Sequence, residues 1–176
     1  MNIQEIVAFH CPRWDELPSE PMFNRELVSY VNETLACILL NDEGLTQTMV
    51  QNYSKWGVIP KITGRKYERE HVAYLIIITI YKQVLNLEDL KEGLKLQLKL
   101  MSFEQGYDYF ARMLEEALLN VFTSVHPDQP LIIKKQHIQS QVEGVSLIAN
   151  TYAQKLLGSH IIQSGGYGKI KEKMNE

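Results

Sequence analysis

The side chains best suited to chemistry in this sequence are amide and basic groups clustered between residues 46 and 67. Asparagine and glutamine match the adenine edge in the major groove of DNA, whereas lysine and arginine pair with guanine or with phosphates. The candidates on and beside a predicted helix at 48–56 are Gln47, Thr48, Gln51, Asn52 and Lys55. The candidates in the following turn at 61–67 are Lys61, Arg65, Lys66 and Tyr67. The alternative is an ordinary solvated polar face, since every surface helix has one.

Charge is unevenly distributed along the chain. The net charge of all 176 residues is −3, but it is +4 over residues 46–82, between −6 over 1–45 and −4 over 83–130. A basic segment between acidic flanks is typical of a surface that faces phosphates. The amide-rich helix therefore lies in the segment best suited to an anionic partner.

Apolar spacing predicts the elements that position these side chains. Residues 23–40 carry apolar side chains three and four positions apart, which predicts an amphipathic helix. In the next helix, Met49, Tyr53 and Trp56 fall on one side and are expected to pack into the core. The amide side chains then lie on the opposite, outward face.

Local signals set the limits of that second helix. Thr48 and Gln51 have the spacing of a capping box, which places the helix start near Thr48. Gly57 and Pro60 end the helix, because neither residue continues it readily. The basic turn centred on Gly64 is expected to form a hairpin or wing.

The rest of the chain is predicted to be helical. Residues 72–81 form the most apolar run, and its length and charged ends favour a buried helix over a strand. Asn86 can cap a further helix. A long helix is expected over 103–125, where four aromatic residues at 103–110 favour packed core. The sequence His-Pro-Asp-Gln-Pro at 126–130 then breaks the chain.

Beyond this break, residues 138–156 carry apolar side chains in steps of four and three, which predicts a helix with an apolar seam. One interpretation is a homodimer, with Val142, Val145, Tyr152 and Leu156 as its contact residues. The alternative is that this helix folds back onto 103–125 within one chain.

These elements predict an all-α fold, with strand confined to a short wing at 62–67. A winged helix-turn-helix with additional C-terminal helices is the simplest architecture that contains them. The expected organisation is a winged helix-turn-helix domain at 1–100, a C-terminal helical and dimerisation region at 101–165, and a flexible basic tail at 166–176.

The stretch at 46–95 resembles the DNA-binding domain of MerR-type regulators. In that family the second helix ends Tyr-x-x-x-Gly-Leu-Leu/Ile-Pro and the wing ends in Arg-x-Tyr or Arg-Arg-Tyr. The matching residues here are Tyr53, Gly57, Val58, Ile59, Pro60, Gly64, Arg65, Lys66 and Tyr67. The whole chain is also similar to a bacterial family known as a domain of unknown function, whose first half is described as MerR-like.

The MerR resemblance implies a transcriptional regulator that binds double-stranded DNA, with helix 48–56 in the major groove and wing 61–67 on phosphates. Because some MerR-type proteins sense apolar ligands in an appended domain, a small apolar effector is a further possible partner. Gln51 and Asn52 stand where the family carries Arg and Tyr. A phosphate contact is therefore missing, which predicts weak affinity.

Other function classes find less support in the sequence. The five histidines lack ligand spacing, so no metal and no cofactor is expected, and no nucleophile lies beside a base, which argues against an enzyme. Cys11 and Cys37 suggest reduced thiols in the cytoplasm, and no apolar run approaches the ~20 residues of a membrane helix. The alternative to DNA binding is a helical adaptor that binds protein on the same scaffold.

Overall fold

The computed structural model describes residues 2–40, 44–126, 130–131 and 143–174, and this part of the chain is mostly helical. The helices are α1 (Ile3–Val7), α2 (Asn24–Leu35), α3 (Gln47–Lys55), α4 (Arg69–Tyr81), α5 (Leu87–Leu100), α6 (Phe103–Phe122), α7 (Glu143–Gln163) and α8 (Tyr167–Met174). Short 3-10 turns lie at Trp14–Glu16 and Ala36–Ile38. The all-α prediction is confirmed. Within the described ranges, the β pairing is a single bridge between Met22 and Tyr67, where strand in a short wing at 62–67 was expected.

Helix α4 occupies the centre of the molecule. Every residue from His71 to Tyr81 is buried, so this helix is covered on all sides. Helices α2, α6 and α7 pack against it. The buried hydroxyl of Thr79 donates to the carbonyl of Leu75 at 2.7 Å, so this polar group has a hydrogen-bond partner within the helix itself. The predicted buried helix is confirmed and the strand alternative is wrong.

Helices α6 and α7 form the most extensive helix pair of the fold. Tyr107 and Phe110 on α6 are buried and Phe103 packs against the core, so core packing is confirmed for three of the four aromatic residues, whereas Tyr109 is partly exposed. Tyr152 and Leu156 on α7 are also fully buried, and the Tyr152 hydroxyl donates to the carbonyl of Ile38. The helix therefore folds back onto its own chain.

This packing corrects the expected dimer contacts. Tyr152 and Leu156 are unavailable to a second copy because their apolar surface is already covered within one chain. Val145 is partly buried, and its carbonyl accepts from the hydroxyl of Tyr81 at 3.4 Å. Val142 lies outside the described residues. Self-association itself stays a prediction, and any dimer must use other side chains.

The C-terminal segment is a second correction. The sequence predicted a flexible basic tail from residue 166, but Tyr167–Met174 forms α8. Gly165 and Gly166 have φ angles of 82° and 118°, a region that glycine enters without steric cost, so the chain reverses after α7. Ile170 is buried against the core. Tyr167 also packs against the core, so these two side chains attach α8 to the rest of the fold.

Asn32 fixes the turn between α2 and α3. Its Oδ1 accepts from the Leu45 amide at 2.7 Å, and its Nδ2 donates to the Leu45 carbonyl at 2.9 Å. The adjacent Gly44 permits this approach, because a Cβ at that position would lie 2.8 Å from the Asn32 Oδ1. The two hydrogen bonds set where α3 begins relative to α2.

We expect Asn32→Ala to lower the free energy of unfolding by about 2 kcal/mol, because it leaves the Leu45 amide and carbonyl without their side-chain partner. Urea unfolding followed by circular dichroism measures the change. Ser29→Ala, on the exposed side of the same helix, is the matched control and should cost less than ~0.5 kcal/mol. Equal effects of the two substitutions would contradict the proposed role of Asn32.

Candidate nucleic-acid interface

Helix α3 begins one residue earlier than the sequence predicted. Thr46 has extended backbone angles, and its Oγ1 accepts from the Met49 amide at 3.2 Å, so Thr46 is the N-cap rather than Thr48. Val50 and Tyr53 on the inner side of α3 are buried. These two residues anchor the helix to the core.

The outer face of α3 carries the predicted polar residues. Gln47, Thr48, Gln51 and Lys55 are exposed, whereas Asn52 is partly buried. Asn52 therefore presents less of its amide to a partner than Gln51 does.

Trp56 is a correction to the predicted core. Its side chain is 51% exposed, because α3 ends at Lys55 and Gly57, with a φ of 65°, turns the chain away. The amide of Val58 then donates to the Tyr53 carbonyl at 2.8 Å, which closes the helix end. The indole contacts Tyr53 edge-on, with ring centroids 6.4 Å apart. Trp56 thus lies at the surface beside the polar face of α3.

The basic loop at 61–66 follows this turn. Lys61, Arg65 and Lys66 are exposed, and Gly64 has a φ of 109°. Tyr67 differs, since it is only 5% exposed and its ring contacts His71 edge-on with centroids 5.5 Å apart. Tyr67 was predicted as a contact residue, and that prediction is wrong because the ring anchors the loop to the core instead.

The start of α2 brings the loop and α3 together. Met22 and Tyr67 exchange two backbone hydrogen bonds of 2.9 Å, and the ammonium of Lys66 lies 5.1 Å from the centroid of the Phe23 ring. The Asn24 side chain donates to the Gln47 carbonyl at 3.2 Å. The basic loop and the first turn of α3 therefore meet at residues 22–24. We call the exposed set Gln47, Thr48, Gln51, Lys55, Lys61, Arg65 and Lys66 the α3–loop surface.

Two residues beside this surface were missed by sequence reasoning. Phe23 is half exposed and forms the platform under Lys66. Lys91 on α5 donates from its Nζ to the Trp56 carbonyl at 3.1 Å, so it binds the C-terminal end of α3 and meets the negative end of the helix dipole. Lys91 lies 35 residues after Trp56, so the local sequence around either residue does not indicate that they are in contact.

Residues 12–110 match a family described as a domain of unknown function, DUF1836. The chain belongs to the DUF1836 family. The matched segment covers more than half of the chain and contains the whole α3–loop surface, so that surface lies within the part of the chain that defines DUF1836. Comparisons with curated proteins and with solved structures gave no match.

A second polar cluster joins the N-terminal segment to α6, and of its residues only Arg13 lies within the DUF1836 match. Arg13 forms an ion pair with Glu115 through its two terminal nitrogens: Nη1 donates to Oε1 at 2.9 Å and Nη2 donates to Oε2 at 2.5 Å. The Glu115 carboxylate also accepts from the Cys11 amide at 2.8 Å, and His10 Nδ1 lies 3.0 Å from it. These contacts satisfy both oxygens of the carboxylate, which favours a structural role. We call His10, Cys11, Arg13 and Glu115 the Glu115 latch, because they attach the N-terminal segment to α6.

The pKa values in this latch support the same conclusion. Burial, with the nearby Glu115 charge, raises the pKa of the Cys11 thiol to about 12, so it is a poor nucleophile near neutral pH. Burial alone would raise the pKa of the Glu115 carboxyl, but hydrogen bonds from Arg13 and from the Cys11 amide outweigh it and lower that pKa.

The described residues lack two further kinds of feature. In that part of the chain, no group of three or more histidine, cysteine, aspartate or glutamate side chains could hold a metal ion. None of the helices described there combines the length and the apolar character needed to cross a membrane.

We expect the two aromatic residues at the end of α3 to differ in their effect on stability. Tyr53→Ala should lower the free energy of unfolding by roughly 3–5 kcal/mol, as for other large-to-small core substitutions. Trp56→Ala should cost about 1 kcal/mol, since it removes mainly an edge contact between rings. Chemical denaturation of both variants measures the difference. A loss of stability in Trp56→Ala as large as that in Tyr53→Ala would contradict the exposed position of Trp56.

We expect the latch to make stability pH-dependent. Because folding lowers the pKa of Glu115, its stabilisation is fully present above the ordinary carboxyl value of 4.5 and is lost as pH falls through the folded value. Glu115→Gln should therefore be less stable than wild type near neutral pH, and the difference should shrink at about pH 3. Urea unfolding at both pH values tests this, with the exposed neighbour Glu116→Gln as control. A difference that is the same at both pH values would contradict the latch.

Proposed function

We propose that this chain is a DNA-binding transcriptional regulator of the MerR-like type. In this proposal, α2 and α3 are the helix-turn-helix, α3 enters the major groove, and the basic loop lies on the phosphate backbone. The observation that carries the proposal is the α3–loop surface, in which an exposed amide-bearing helix face and four exposed cations lie on two elements that meet at residues 22–24.

The dimensions of this surface suit the task. An α-helix is ~10–12 Å across with its side chains, which matches the ~12 Å width of the major groove, and the nine residues of α3 make it roughly 13 Å long. Gln51 is the candidate for base reading, because its exposed amide can pair with adenine. Arg65 and Lys66 are candidates for phosphate contacts, which position a helix without reading sequence.

The proposal includes weak binding by a single copy. Gln51 stands where MerR-type regulators carry an arginine, so one phosphate contact is missing. Tyr67 adds no contact either, because it is buried. A second copy on a second half-site would compensate, as is usual for helix-turn-helix proteins.

A second candidate function is a helical adaptor that binds protein. The observation that favours it is the exposure of Phe23 and Trp56, at 50% and 51%, beside the α3–loop surface. Aromatic residues are enriched at protein interfaces, where they act as anchors. DNA binding accounts better for the exposed cations, and duplex binding decides between the two functions.

We expect the intact protein to bind duplexes from a random pool at ~50 mM salt, where phosphate contacts are strongest. Arg65→Ala should weaken binding to all sequences alike and reduce the salt slope by about one. Gln51→Ala should cost about 1–3 kcal/mol at the selected site and relax preference at one base pair. Fluorescence anisotropy over a salt series measures both effects.

Arg112→Ala is the matched control for Arg65→Ala, since it removes one exposed arginine on α6, away from the α3–loop surface. Its affinity and salt slope should equal those of wild type. No duplex binding by the wild-type protein at ~50 mM salt would overturn the DNA-binding proposal and favour the adaptor.

A further inference from the structure

A cavity of about 290 Å³ lies between α4, α5, α6 and the beginning of α7. Its walls are mainly apolar and include Ile77, Leu94, Phe110, Val145 and Ile148. Among the described residues that line it, Glu143 is the one with a charged side chain. The cavity is partly open to solvent on the side of α5, where Leu96 and Leu100 are exposed.

The cavity contains a polar group that lacks a partner. The Nε2 of Gln97 is buried and makes no hydrogen bond within the described chain. Gln97 packs against Gly106, where an added Cβ would lie 3.2 Å from its Cγ, so α6 holds the side chain in place. An unsatisfied buried amide costs roughly 1–3 kcal/mol, which a hydrogen-bond acceptor inside the cavity would recover.

The outer wall of the cavity is α5, which is held loosely. Leu90 is the one buried residue of this helix, whereas Leu96 and Leu100 line the cavity and are 58% and 65% exposed. The free energy falls when a ligand covers apolar side chains that were exposed to water. An apolar occupant would therefore be stabilised by contact with Leu96 and Leu100.

We propose that this cavity binds a neutral, apolar small molecule that carries one hydrogen-bond acceptor, with Gln97 as the residue that recognises the acceptor. An engineered apolar cavity of ~150 Å³ holds benzene, so a cavity about twice that size accommodates a bicyclic ring system. Anions are excluded because Glu143 lies at the cavity and no described lining residue is a cation. This inference goes beyond the proposed function and does not depend on DNA binding.

The first test uses the neutral dye N-phenyl-1-naphthylamine, whose fluorescence rises when it leaves water. Titration of the full chain should give saturable binding. Val145→Phe fills the cavity and should raise the dissociation constant at least tenfold. Leu147→Phe is the matched control, since Leu147 lies two residues away on α7, is exposed and does not line the cavity. Thermal unfolding of each variant verifies that it folds.

The second test examines the role of Gln97 with two competitors of nearly equal size. In the wild type, 2-naphthol should displace the dye at a concentration several-fold lower than naphthalene does, because its oxygen can pair with the Gln97 amide. In Gln97→Leu this preference should disappear while naphthalene still displaces the dye.

Three results would overturn the inference. They are the absence of saturable dye binding to the folded wild type, equal affinities of Val145→Phe and Leu147→Phe, and an undiminished preference for 2-naphthol in Gln97→Leu. All of these measurements are made without DNA, so their outcome is separate from that of the proposed function.

Discussion

The burial of α4 from His71 to Tyr81 is the constraint on which the rest of this structure depends. A helix that is apolar on every side is stable in water only when other elements cover its whole circumference. Helices α2, α6 and α7 supply that cover, and Tyr67 and His71 continue it at the N-terminal end. Tyr67, which follows the basic loop, is part of the core. The exposed cations of the loop are therefore attached to a rigid part of the fold.

Polar contacts then set the position of each element around this core. Asn32 fixes the α2–α3 turn, Thr46 begins α3, and the Glu115 latch holds the N-terminal segment on α6. Each contact joins a side chain to the backbone or to a charged group that would otherwise lose hydrogen bonds on burial. The apolar residues determine which face of each helix turns inward, and these few polar groups determine where each element lies along its neighbour.

Periodicity was sufficient to predict α2 and α6, because their apolar residues repeat at helical spacing over many turns. Helix α4 is apolar on every side and was predicted instead from the length and charged ends of its apolar run. Periodicity failed where a single local feature decides the outcome. Trp56 has the spacing of a core residue, but the helix ends one residue before it, so the ring turns outward. The apolar seam at Tyr152 and Leu156 has the same pattern whether it meets a second copy or α6 of its own chain. The amide face of α3 was predictable, whereas Phe23 and Lys91 were not, since their positions depend on tertiary contacts.

The hydrogen bond from Lys91 to the Trp56 carbonyl joins two regions that are otherwise separate in the chain. One end of this contact is the last turn of α3, and the other is α5, the loosely held wall of the cavity. If a ligand in the cavity changed the affinity of α3 for a partner by some factor, the partner would change the affinity of the cavity for its ligand by the same factor. A single ammonium group thus joins the end of α3 to the helix that lines the cavity.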